Sequence, residues 1–147
     1  MPRLTAGDVA CWVLKTSRPP AQLAPGWVPG TARPLTRCVR ASYRLHLMTP
    51  GQPCLLWLSG RSDPGVHALG TVEAAVEPDP GGAPAVAVRL TLLPEPVARA
   101  DLLADPRLQD AEVLRMPAGS NPSWLSAAQF GAVLDRLAGS GLEPWPA

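Results

Sequence analysis

At 147 residues the chain has the length of one ordinary domain, and a single domain over residues 1–147 is the expectation. A hydrophobic share of 46% against 17% charged residues excludes a disordered chain, and the longest apolar runs fall far short of a membrane span. The net charge of +1 conceals an asymmetry: residues 1–62 hold eight lysines and arginines against Asp8 alone, whereas residues 63–147 hold five arginines against eleven carboxylates.

Nineteen prolines and thirteen glycines cut the chain into short pieces, the spacing of many short strands joined by turns. The N-terminus has no basic patch leading into a long apolar stretch, so no secretory signal is expected and the cytoplasm is the expected compartment. Residues 9–16 predict the first strand, with Trp12, Leu14 and Thr16 on one face and Cys11, Val13 and Lys15 on the other. Residues 17–34 carry five prolines and two glycines around Trp27, which predicts an irregular surface loop. Leu35, Val39 and Tyr43 recur every four residues and predict one or two helical turns ending before Pro50-Gly51. The apolar run 54–59 predicts a central strand covered on both faces, and 61–65 a turn. A third strand is expected over 66–76, where Gly70 marks a bulge or a close backbone approach. After a turn at 78–84, residues 85–93 predict a half-buried strand with Val86, Val88, Leu90 and Leu92 on one face. Ser126 and Gln129 then form a capping box, Leu125 and Phe130 stand at the staple positions, and Gly139 is the expected stop of a helix. Phe130, Val133, Leu134 and Leu137 are its buried stripe.

This order of elements is consistent with a small closed or nearly closed β-barrel. Four segments carry more: CWVLKT (11–16), PGQPCLLWLSG (50–60), PGVHALGTV (64–72) and DPRLQDAEVLRMPAGSNPSWLSAAQF (105–130). With these in register across more than a hundred residues, the chain resembles the EVE family. The resemblance implies an α+β fold: a PUA-like β-barrel of about five to six strands, related to the YTH fold, with short flanking helices and a C-terminal helix. It also implies a module that binds nucleic acid and seats one base, often a modified one, in a pocket. One departure is clear, because EVE sequences usually carry an aromatic residue just before the short helical segment, where this chain reads TRCVRASYR (36–44) with no tryptophan.

A pocket for a flipped base needs flat apolar walls and a few fixed donors and acceptors. Trp12 and Trp57 are the candidate walls or, equally, core tryptophans, and Trp27 is a candidate for the missing aromatic surface. Ser59, Gly60, Gly65 and Val66 are candidate rim residues, Lys15 and Thr16 lie at the end of the first strand, and Ser120, Asn121 and Pro122 form a polar loop whose asparagine either bonds a base edge or closes a turn. Arg33, Arg37, Arg40, Arg44 and Arg61 are the candidate phosphate contacts.

The implied partner is DNA or RNA carrying a modified base, with no cofactor and no membrane. Which base is read, and whether a nuclease or modification-system partner acts downstream, stay open. For catalysis the sequence offers no P-loop, no GxSxG, no dinucleotide fingerprint and no zinc-ligand set. Cys11 and Cys54 sit mid-strand, where thiols are normally inert, although either spaced against His67 is a conceivable nucleophile. The expectation is therefore a non-enzymatic reader. The alternatives are an interaction domain that has lost the pocket and a small enzyme acting on a nucleotide.

Overall fold

The computed structural model describes residues 3–137, and among these a single sheet contains seven strands. They are β1 (Cys11–Thr16), β2 (Ala32–Cys38), β3 (Pro53–Leu58), β4 (Gly65–Val72), β5 (Glu77–Pro78), β6 (Pro84–Ala98) and β7 (Ser123–Leu125). Their order across the sheet is β2-β6-β4-β3-β1-β7, with β5 paired to β6 beyond the end of β4. Only β1 and β3 run parallel, Trp12 opposite Cys54 and Lys15 opposite Trp57. Every residue of β1 is buried, as a strand held between two others and covered on both faces must be.

Alternation along the strands builds two cores. Trp12, Leu14, Cys54, Leu56, Ala68, Val72, Val86, Val88 and Leu90 point to one face, where Leu35 of β2 and Trp124 of β7 join them. All the long strands contribute here, so this is the inside of the rolled sheet. Cys11, Val13, Leu55, Trp57, Val66, Leu69, Leu93 and Val97 point the other way, onto a helical layer. That layer comprises α2 (Arg99–Leu103), a 3-10 turn at Pro106–Leu108, α3 (Glu112–Arg115) and α4 (Ala127–Leu137), whereas a single turn, α1 (Pro20–Leu23), lies on the inner side. No helix among the described residues is long and apolar enough to cross a membrane.

The two edge strands approach each other where the Arg40 N–H donates to Asn121 O at 2.9 Å and its guanidinium donates to Ser120 Oγ at 3.2 Å. Among the described residues no strand ladder continues across that seam, so the sheet is rolled towards a barrel without being hydrogen-bonded all the way round.

The predicted strands at 9–16 and 54–59 occur, as does the helix opened by Ser126. The Gln129 N–H donates to Ser126 Oγ at 3.3 Å and Gln129 Oε1 accepts from the Ser126 N–H at 2.9 Å. Gly139, its expected stop, lies outside the described residues. Gly70 marks a close approach, because a Cβ there would fall on the Arg89 carbonyl and the Leu90 backbone.

Other expectations change. The predicted helical turns at 35–43 are instead β2 followed by a 3-10 turn at Tyr43–Leu47, because Arg33, Leu35 and Arg37 follow the two-residue period of the β6 edge they pair with. The loop 17–34 is not wholly superficial: Trp27 is 7% exposed and its indole donates to Thr31 O at 2.9 Å. The strand after Gly65 stops at Val72 rather than 76. The strand expected to end at 93 runs on to Ala98, with residues 93–96 bulged out, since Val66 pairs with Val97 while Ala68 pairs with Leu92.

Candidate nucleic-acid interface

A cleft of about 380 Å3 opens where β1 and β3 end, lined by Ser17, Pro19, Leu58, Ser59, Gly60, Arg61, Ser62, Asp63 and His67. Its floor is tied to β1, since the Ser59 N–H donates to Thr16 O at 2.8 Å. Gly60 has φ +117, a conformation side chains rarely adopt, and nothing stands within 4 Å of its missing Cβ. A ligand can therefore reach its main chain. His67 Nε2 lies 2.6 Å from Asp63 O, bracing the far side of the turn.

Of the predicted pocket residues, Ser59 and Gly60 line this cleft and Arg61 joins them. Gly65 and Val66 are buried just behind it, and the space of a Gly65 Cβ is taken by the Val97 carbonyl. Thr16 is buried, its hydroxyl accepting from the Arg18 N–H at 3.1 Å and turning the chain out of β1.

Trp12 and Trp27 lie in one core and Trp57 in the other. Trp12 is fully buried inside the rolled sheet, and its indole N–H donates to Gln52 Oε1 at 2.7 Å. Trp57 is 4% exposed on the opposite face, beneath the helices. A void of about 10 Å3 lies there, room for no more than one water. Trp27 shares the inner core with Trp12.

A second group of predicted residues forms a closed network. Asn121 Oδ1 accepts from the Lys15 N–H at 2.7 Å and its Nδ2 donates to Lys15 O at 2.9 Å, so the side chain continues the pairing of β7 with β1 by one step. Both ends of its amide thus bind the Lys15 backbone, one hydrogen bond accepted and one donated. Lys15 Nζ donates to Met116 O at 3.2 Å; burial draws this ammonium below the ordinary lysine value, with Glu112 opposing and Arg44 adding to the shift. Arg44 makes a two-pronged pair with Glu112, both contacts 2.7 Å, and also donates to Pro122 O at 3.0 Å. This hydrogen-bonded pairing holds the Glu112 carboxyl below the usual range against the opposing effect of burial, helped by Ser123 Oγ donating at 2.9 Å.

The candidate phosphate contacts accordingly divide. Arg44 is committed to Glu112, Arg40 to Ser120 and Arg33 to Pro25 O at 3.4 Å, whereas the Arg37 and Arg61 side chains have no hydrogen-bond or ion-pair partner among the described residues. The sequence alone marks none of Ser17, Pro19, Leu58, Ser62 and Asp63 as a site residue, and His67 only as a conceivable partner of a thiol; they come from two segments that the parallel β1–β3 pairing brings together. The glycine-bracketed turn at 61–65 was the one available signal, since binding residues concentrate on loops.

Catalytic thiols are disfavoured by burial, which pushes Cys54 up to about 12 and Cys11 well above its ordinary value, so neither supplies a thiolate near neutral pH.

No family model matches the chain, and no curated protein matches it in sequence. Its fold is that of several solved structures. A hypothetical protein from Leishmania major is 18% identical with a TM-score of 0.62, covering 89% of this chain and 96% of its own. An Agrobacterium tumefaciens protein is 20% identical with a TM-score of 0.63, covering 93% and 98%. Human THYN1, solved in complex with DNA containing 5-methylcytosine, is 15% identical with a TM-score of 0.53, covering 91% and 99%. The chain thus has the α+β, PUA-like fold that its EVE resemblance implies.

Proposed function

We propose that this PUA-like chain is a non-catalytic nucleic-acid-binding module of the EVE type that admits a modified base to the cleft between Ser17, Pro19 and the 58–63 turn. The observation that carries the reading is that cleft itself: it opens at the Trp-Leu-Ser-Gly segment of the resemblance and exposes the Gly60 main chain, with the unpaired Arg61 on its rim. Pro19 and Leu58 offer apolar contact for a base face, the Ser59 and Ser62 hydroxyls offer both donor and acceptor, and a guanidinium plane can stack on a base in place of an aromatic ring. The methylated DNA bound by THYN1 makes DNA the first ligand to try.

One observation favours a second reading, an interaction domain without a base pocket: among the described residues no tryptophan, tyrosine or phenylalanine lines the cleft.

The deciding experiment titrates labelled oligonucleotides, DNA and RNA, with and without 5-methylcytosine, at several salt concentrations, while watching for turnover. The expected result is salt-sensitive binding with a log–log slope of roughly −2 to −4 and no product. Arg61→Ala should weaken modified and unmodified ligands alike, because a phosphate contact positions without specifying. Absence of binding to every oligonucleotide would move the assignment to the interaction domain, and turnover would move it to an enzyme.

A further inference from the structure

The strand β2 ends the sheet with one long side unused. Its other side pairs with β6, and the Val39 N–H, donating to the directly opposite Pro84 O at 3.1 Å, fixes the phase of that ladder. Opposite residues of an antiparallel pair alternate between bonded and unbonded, so Arg33, Leu35 and Arg37 spend their N–H and C=O groups on β6. The N–H groups of Ala32, Thr36 and Cys38 and the carbonyls of Ala32, Pro34, Thr36 and Cys38 face the other way, where no strand pairs among the described residues. Pro34, Thr36 and Cys38 are exposed. The contact with Asn121 is made by Arg40, beyond the end of the strand, and leaves this edge open.

Charge decides what the edge admits. Arg33, Leu35 and Arg37 share one face of β2, opposite the apolar Leu90, Val88 and Val86, and residues 9–62 contain no carboxylate. The Arg37 side chain has no hydrogen-bond or ion-pair partner among the described residues, and its Nε is buried. A second copy of the chain pairing antiparallel about Leu35 would set Arg33 directly opposite Arg37, a like-charge arrangement that destabilises a sheet. A phosphodiester backbone offers acceptors to the guanidiniums but no N–H to the four outward carbonyls. An extended peptide with carboxylates at every fourth residue answers both. We propose that the open edge of β2 takes an extended acidic segment of a partner protein as an added antiparallel strand, with carboxylates opposite Arg33 and Arg37 and an apolar residue opposite Leu35. Pro34 and the two arginines, devices that keep an edge from pairing with its own kind, then also select the partner. The proposal is independent of what the cleft binds.

The probe is an end-capped heptapeptide, Thr-Glu-Thr-Val-Thr-Glu-Thr, raised to millimolar concentration. Its controls are the same peptide with lysine for glutamate and a copy carrying N-methyl groups on the threonines, whose N–H groups would face β2. Amide hydrogen exchange of the protein is followed by NMR. The expected result is a saturable slowing of exchange at Ala32, Thr36 and Cys38, with no change at Arg33, Leu35 and Arg37, whose N–H groups β6 already holds. Both control peptides should bind roughly tenfold more weakly. Arg33→Glu combined with Arg37→Glu should transfer the preference to the lysine peptide. Thr36→Pro removes one outward N–H and spares the β6 ladder, so it should weaken the glutamate peptide roughly fivefold and leave oligonucleotide affinity unchanged. The assignment is overturned if these three amides gain no protection, if the lysine peptide protects them equally, or if protection grows with protein concentration alone, which would give the edge to a second copy. Protection of the same amides by an unmodified oligonucleotide and not by the glutamate peptide would give the edge to nucleic acid. Should either protein variant fail to fold, the three peptides on the wild-type chain carry the test.

Discussion

Trp12 and Trp57 bring the question of pocket against core down to single side chains. Both are enclosed, on opposite faces of the same strand pair, and Trp12 is also tied through its indole to Gln52. Replacement of either by alanine should cost about 3–5 kcal/mol of stability by denaturant unfolding, and any loss of oligonucleotide binding should track the unfolded fraction. A stable Trp57→Ala protein with weakened binding would instead make that ring part of the ligand site. Asn121 makes a similar contrast. Asn121→Ala leaves a buried N–H and carbonyl of Lys15 without partners, and a destabilisation of about 2 kcal/mol is expected. Were the amide a reader of bases, affinity would drop and stability would hold. The sequence showed these residues to be special through type and place. It could not show direction, because a tryptophan in a strand serves either face and an asparagine amide serves either backbone or ligand.

Among the elements, β1, β3 and α4 were legible because each declares itself locally: two apolar-rich runs of β-formers and a capping box with a 3.6-residue stripe. The strand β2 was not, because Leu35, Val39 and Tyr43 fall by coincidence at helical spacing and only the β6 edge selects the extended form. A three-residue strand such as β7 has too few positions to show a period at all. What ties these harder elements together is the Arg44–Glu112 pair, which joins the 3-10 turn at Tyr43–Leu47 to α3, and through Ser123 to β7. Because Glu112 is held below the ordinary carboxylate pKa of about 4.3, the pair contributes in full above that value and its contribution is lost as the pH falls through the lower folded one. Both side chains are about a quarter exposed, so solvent screening reduces the effect to about 1 kcal/mol. Unfolding of Glu112→Gln beside wild type should therefore show the largest gap near pH 7 and a closing gap below about pH 4.

Over the whole molecule, the charge asymmetry does not become one covering against another: outside β2 and β7, residues 17–48 pack on the sheet's inner side and carry basic charge alone, whereas residues 99–137 pack on its outer side with four arginines against five carboxylates. The asymmetry was readable in the sequence, but which arginines remain free was not, since Arg40 and Arg44 are spent on partners some 70–80 positions away. The strand order has a further consequence, for synthesis. Among the described residues β1 precedes every other strand and is flanked by β3 and by β7, which follows them all. A nascent chain can pair one side of β1 early but must hold the other edge bare until residues 121–125 have emerged. While the chain between them is made, β1 is thus an apolar edge of the kind that recruits chaperones or other chains. Ribosome-bound chains exposed only to residue 118 should remain sensitive to protease within residues 11–16, and chains exposed through α4 should become resistant.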